Sequence, residues 1–267
     1  MNQINIQGIR LEVKHIAAPA GTPGRAPIVF LHEGLGSVAM WRDWPKQLCQ
    51  ATGREGWVYS RRGYGQSDAV PDVRGAPARV HGQRCGRLLP DYMHQEAWTV
   101  LPALLDELGL VAPVLLGHSD GASIALLHAS RHPVTACIAM APHVMVEDIS
   151  VQSIEQARVA YETGDLRERL RRYHADVDCA FWQWNDMWLS PAFRGFDIRL
   201  DCRTLHAPVL AIQGLEDPYG TMAQIEQILL PEHQIERIRL AACGHSPHRD
   251  QPQPTTAHIA HFLTTQP

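Results

Sequence analysis

Short apolar runs recur along the chain, separated by stretches of helical length. Pro27–His32 (PIVFLH), Gly56–Tyr59 (GWVY), Val114–His118 (VLLGH), Ala136–Pro142 (ACIAMAP), Pro208–Gly214 (PVLAIQG) and Ile235–Ala241 (IERIRLA) are too short for helices and read as strands. Runs apolar at nearly every position belong to strands buried on both faces, the condition of a mostly parallel sheet covered by helices. The opening INIQGIRLEVKHI alternates around Gly8 and predicts a hairpin. Tyr92–Leu110 is amphipathic at helical spacing despite Pro102, and Ile124–Leu127 reads as a helix seated against the sheet.

Two stretches break this rhythm. Ala69–Pro90 is rich in Pro, Gly and Arg, has little periodicity, and predicts an exposed loop. From Val144 to Leu205 the patterns are helical with no clear strand, so a helical insertion lying over the sheet is expected. This divides the chain into a core, residues 1–143 and 206–267, and a cap, residues 144–205.

Composition narrows function more than fold. At 267 residues, 45% apolar and 19% charged, the chain is globular and long enough for one large or two small domains. A net charge of −4 with interspersed signs gives no basic face for nucleic acid. No segment is apolar enough to span a bilayer, and the N-terminus lacks the charged and apolar regions of a signal peptide. Six scattered cysteines without a CxxC pair fit free thiols of a reducing compartment. These features predict a cytoplasmic protein without nucleic-acid or membrane partners. A homo-oligomer is compatible with the sequence but not specified by it. There is no HExxH, no EF-hand loop and no GxGxxG at a strand–helix junction, so neither a metal nor another cofactor is expected.

Chemistry concentrates at Gly117-His118-Ser119-Asp120-Gly121, a G-x-S-x-G match between a predicted strand and a predicted helix. Such a turn is so sharp that side chains two residues either side of the serine would collide, and it exposes the hydroxyl at the positive end of a helix. A serine hydroxyl needs a positioned base, itself oriented by an acid. Asp217 follows the strand PVLAIQG and His245 follows IERIRLA, in the order Ser, acid, His. Both lie in loops at carboxyl ends of strands, where open α/β sheets place their sites.

Over nearly its whole length the sequence resembles the α/β-hydrolase superfamily. FLHEGLGS is similar to that family's H-G-x-x-G loop and SRRGYGQSD to its D-x-R-G-x-G-x-S turn, while GLEDP and CGHSPH are similar to its acid and histidine segments, all in family order. The resemblance implies an α/β fold: a mostly parallel sheet, helices on both faces, and a helical cap inserted after strand 6. It makes Ser119 the nucleophile, His245 the general base and then acid, and Asp217 its orienter. Glu216, Asp148 (beside Glu147), His248 and His118 are the rivals for these roles, with His118 expected to pack under the elbow. The backbone N–H of Asp120 is one expected oxyanion donor; the resemblance places the other at Gly34, although Glu33 replaces the usual glycine before it.

Substrate choice is less determined. Glu33 and Asp120 could recognise an amine-bearing substrate, as the aspartate after the nucleophile resembles that of amino-acid esterases. The alternative is an acid at a helix start and Glu33 paired to Arg61 or Arg62. Phe181, Trp184 and Trp188 fall at helical spacing and are either cap core or the lining of an apolar pocket. His174–Asp178 (HADVD) reads as a solvated face. The implied partner is a small-molecule ester, lactone or thioester. A carbon–carbon bond hydrolase, an amino-acid ester hydrolase, a cofactor-free perhydrolase and a non-turnover ligand receptor are the competing readings; Ser246 stands where the carbon–carbon hydrolases usually carry Trp.

Overall fold

A computed structural model describes residues 2–20 and 24–266. Among them are ten strands: β1 (Asn2–Ile6), β2 (Ile9–Ile16), β3 (Ile28–Leu31), β4 (Gly56–Tyr59), β5 (Ala78–Val80), β6 (Gln83–Cys85), β7 (Val114–His118), β8 (Ala136–Met140), β9 (Val209–Gly214) and β10 (Ile235–Leu240). Eight form one sheet in the order β1-β2-β4-β3-β7-β8-β9-β10. Every pairing from β4 to β10 is parallel, while the β1–β2 hairpin adds antiparallel to β4.

Burial follows position in the sheet. Every residue of β3, β7, β8 and β9 is buried, whereas edge strand β10 is buried only at its two ends. Successive residues feed opposite cores, as the period of two requires. Val29, Leu31 and Leu115 pack with Leu101, Leu104 and Ile124 on one face. Ile28, Phe30 and Leu116 pack with Trp41, Leu48 and Phe262 on the other. The expected α/β class with helices on both faces is the observed one.

Between β8, the sixth strand of the large sheet in chain order, and β9 lie helices Asp148–Thr163, Leu166–Arg171, Val177–Trp188 and Arg199–Cys202, with a 3₁₀ turn at Pro191–Gly195. The two ends of this insertion are pinned together where Ile198 N–H donates to the Val144 carbonyl and Met145 bridges Asp197.

Three local expectations are corrected. The 69–90 stretch is not all loop, because β5 and β6 form a hairpin closed by His81 (φ +49°) and Gly82 (φ +78°). Two positive-φ residues are the requirement of a type I′ turn, which His-Gly meets less recognisably than Asn-Gly. The helix from Tyr92 contains a π turn, Glu96–Val100, before continuing as Leu101–Glu107. Pro102 has no N–H for the carbonyl four residues back, and the preceding turn widens. The HADVD stretch is solvated only in part, Ala175 and Asp176 being exposed while His174 and Val177 are buried. His174 is buried, its Nδ1 accepting from Gly65 N–H (3.0 Å), which leaves Nε2–H to donate to the Leu35 carbonyl (3.0 Å). Asp176 caps the next helix by accepting from Cys179 N–H.

Candidate active site

β7 is buried at all five positions and ends abruptly at Ser119, where φ is +54° and ψ −120°. Positive φ is costly for a non-glycine residue, and the surroundings must impose it. They do: Ser119 N–H donates to the Met140 carbonyl at the end of β8, and its own carbonyl accepts from Ala122 and Ser123 in the helix Asp120–Ala129. Glycine is needed on both sides. A Cβ on Gly117 would lie 2.1 Å from the Gly121 carbonyl oxygen, and one on Gly121 would lie 2.1 Å from that of Leu31. The helix that follows is buried along its whole length, its N-terminus beneath the serine. Among the described residues the Ser119 hydroxyl has no hydrogen-bond partner.

Asp217 and His245, 28 residues apart in sequence, meet above this turn. His245 Nδ1 lies 2.9 and 2.8 Å from the two Asp217 carboxylate oxygens. Asp217 also accepts from Tyr219 N–H (2.8 Å) and Gln213 Nε2 (2.8 Å). Burial raises the cost of its charge, but the His245 contact and the Tyr219 N–H outweigh it and hold the carboxyl below the ordinary range. The acid is enclosed; the imidazole keeps an open edge and packs against the Tyr219 ring at 4.7 Å.

The rivals are placed elsewhere. Asp148 is exposed and paired to Arg194 (3.0 Å), and Glu216 is exposed. Glu147 accepts from Thr221 and Gln224. His248 is buried among Trp41, Trp44 and His118 with neither ring nitrogen bonded. His118 packs beneath the elbow, its Nε2 2.6 Å from the His245 carbonyl and its Nδ1 3.5 Å from Glu33.

Glu33 is a correction. Its carboxylate faces His118 and Arg249 (3.4 Å), not Arg61 or Arg62. Burial works against its charge, yet His118, Arg249 and His248 together hold its pKa well below normal. Arg61 instead grips the same loop by its backbone, donating to the carbonyls of His32 and Glu33. Asp120 is also satisfied internally, accepting from Tyr92 Oη–H (2.6 Å) and Trp188 Nε1–H (3.3 Å). Burial pushes its pKa up, against the charge of Arg61 and those two hydrogen bonds.

Of the aromatic trio, Trp184 stands over the loop: a Cβ on Gly34 would meet its indole nitrogen at 2.2 Å. Trp188 is buried against Asp120 and the edge of His143. Phe181 is wholly buried, stacked on Tyr161 at 3.6 Å within the helical insertion, and presents no open surface.

Residues 28–258 match the sequence model of the alpha/beta hydrolase family. The chain belongs to the alpha/beta hydrolase family. Its fold is similar to that of an enol-lactonase from Burkholderia xenovorans LB400, at a TM-score of 0.70 and 19% identity over 98% of this chain and 100% of that one. It is also similar to a thermophilic esterase from Thermogutta terrifontis, at a TM-score of 0.71 and 18% identity over 99% and 98%. In sequence it is 34% identical over 106 residues to sn-1-specific diacylglycerol lipase ABHD11 of Mus musculus, a match covering 40% of this chain and 28% of that protein.

Within this alpha/beta hydrolase, sequence reading did not anticipate Tyr92, Gln213 or Tyr219 at the site, and it named Arg61 only as a partner of Glu33 rather than as the grip on the loop carbonyls. Arg61 carried a signal, standing beside the matched arginine of the Gly-rich turn. Tyr92 carried none, since nothing local to a helix start reveals a partner 28 residues away. Among the described residues no helix is long and apolar enough to cross a membrane, and all six cysteines are free.

Proposed function

We propose that the protein is a serine hydrolase that cleaves a small carboxylic ester, lactone or thioester through an acyl-enzyme on Ser119. The observation that carries this reading is the two-oxygen contact between Asp217 and His245 Nδ1 beside a serine held at positive φ. With Nδ1–H donated to Asp217, Nε2 is left as the base. It takes the Ser119 proton as Oγ attacks the carbonyl carbon, then returns it to the departing oxygen or sulfur. Water repeats the cycle on the acyl-enzyme and frees the acid.

The tetrahedral oxyanion is received by the backbone N–H groups of Asp120 and Gly34, each such donor being worth ~3 kcal/mol. Arg61 fixes the second donor by holding the carbonyls beside it. In this reading residues 144–205 act as a cap on the core of residues 1–143 and 206–267, and Trp184 limits the room over Gly34. An amine-bearing substrate is disfavoured, because both carboxylates that would recognise it already have protein partners.

The test is hydrolysis of p-nitrophenyl esters of graded acyl length, with an α-amino-acyl ester alongside, by the native protein and Ser119→Ala. Ser119-dependent turnover supports the proposal, and chain-length preference sizes the acyl pocket. No turnover on any ester or lactone would overturn it and turn attention to carbon–carbon cleavage.

A further inference from the structure

A cavity of about 520 Å³ opens between the β1–β2 hairpin, the β5–β6 hairpin and the helix that starts at Tyr92. Ser119, Asp217 and His245 do not line it. Its wall is unusual in charge: Arg61, Arg62, Arg79 and Arg84 face it, with Glu96 as the one carboxyl group. Several arginines elsewhere have carboxylate partners, as in Arg10–Asp68, Arg74–Asp186 and Arg167–Asp178. Here, among the described residues, none of the four arginines has a carboxylate within 4.0 Å.

Their donors go to neutral groups instead. Arg61 uses the His32 and Glu33 carbonyls, Arg79 the Gly82 carbonyl, and Arg84 the Gly86 carbonyl and the Gln183 side chain. Arg62 reaches only Gln83, at 3.5 Å, and its buried Nε has no partner. Glu96 is half-buried and accepts from Tyr59 Oη–H (3.0 Å), its pKa raised by desolvation. Arg61 has the charges of Asp120 and Glu96 nearby and Arg79 is exposed, but Arg62 and Arg84 are partly buried without a close carboxylate, which is unfavourable unless something else supplies the anion. Burial accordingly draws the pKa of both Arg62 and Arg84 downward. Ile6, Ile9, Leu11, Leu88 and Val100 give the wall an aliphatic stretch, beside polar side chains such as Gln83, Gln95 and Thr99. The volume is that of a small-molecule site.

We propose that this cavity binds an organic anion, a carboxylate or phosphate ester with a hydrocarbon body, its charged head answered by the arginines and its body by the aliphatic wall. The inference concerns binding and does not depend on the hydrolase reading. It does suggest why the cavity matters to the centre nearby. Tyr92 lines the cavity and bonds Asp120, and Arg61 lines it and holds the loop of Gly34, so an occupant touches the supports of both expected oxyanion donors.

The test is calorimetric titration of the full protein with octanoate and octyl phosphate, against 1-octanol as the uncharged analogue. Both anions are expected to bind at least tenfold more tightly than the alcohol. Arg62→Gln with Arg84→Gln should weaken the anions at least tenfold and leave octanol unchanged. Arg79→Gln, on an exposed strand, keeps the test valid if that double variant fails to fold, and should weaken the anions severalfold. Equal affinity for alcohol and anion, or undiminished anion binding in the folded variants, would overturn the proposal. Once binding is seen, octanoate that competes with ester substrate marks an extension of the substrate site, and octanoate that changes kcat without competing marks an effector site; both support an anion site. Binding without hydrolysis of any ester leaves this proposal standing and removes the hydrolase one.

Discussion

Ser119 is held in a backbone conformation it would not choose, and the cost of that strain, about 1–3 kcal/mol, is met by the surrounding backbone. Its replacement therefore removes chemistry rather than stability. Ser119→Ala and His245→Ala are each expected to lower kcat by roughly 10⁴–10⁶-fold, with Tm nearly unchanged. Asp217→Asn should cost less, about 10⁴-fold, and Asp148→Asn nothing, since Asp148 is an exposed partner of Arg194. Steady-state kinetics on one ester series checks all four; a crippled Asp148→Asn would reassign the acid. Glu33 acts at one remove. It faces His118, whose Nε2 contacts the His245 carbonyl, so Glu33→Gln should loosen the histidine loop. The expected result is a kcat drop of about tenfold to a hundredfold with KM little changed.

At the level of elements, two glycines make a contrast. Gly121 lies where the helix after the elbow crosses β3, and an added Cβ would meet backbone that cannot move aside. Gly121→Ala should lose about 2–4 kcal/mol by thermal or urea unfolding. Gly82 has positive φ but open space around it, so Gly82→Ala should cost only the turn strain, about 1–2 kcal/mol. Equal losses at the two positions would show that the elbow is not sterically locked. The hairpin it closes joins a loop fastened to the insertion by Arg74, which pairs with Asp186 at 2.8 Å and lies over the Trp182 ring at 3.7 Å. That fastening spans 112 residues and left no mark in the local pattern of 69–90.

Across the whole molecule, the buried imidazoles set the acid limit. His32, His128, His143, His174 and His248 all have lowered pKa, burial being the largest cause, with His128 at about 4 and His143 at about 3. The unfolded chain takes up these protons first as pH falls below about 6.5, while the folded protein does not. Their contribution is thus full above that pH and is lost as pH drops toward the folded values, about 1.4 kcal/mol per histidine for each pH unit in the window. For His128 and His143 this is a Tm fall of roughly 3–5 °C each per pH unit between pH 6 and 4, and His143→Gln should flatten the slope. A Tm constant over that range would contradict the assignment. What the sequence determined by itself was local: the buried strand runs, the glycines around Ser119, and the loops that carry Asp217 and His245. Strand burial and sharp turns are dictated by neighbouring residues, so they are written in neighbouring letters. Tertiary structure alone decided that Glu33 faces Arg249 across 216 positions, that Tyr92 and Trp188 occupy Asp120, and that arginines from separate segments share one cavity. Those pairings depend on how the sheet brings distant loops together and on which charges burial then forces to find partners.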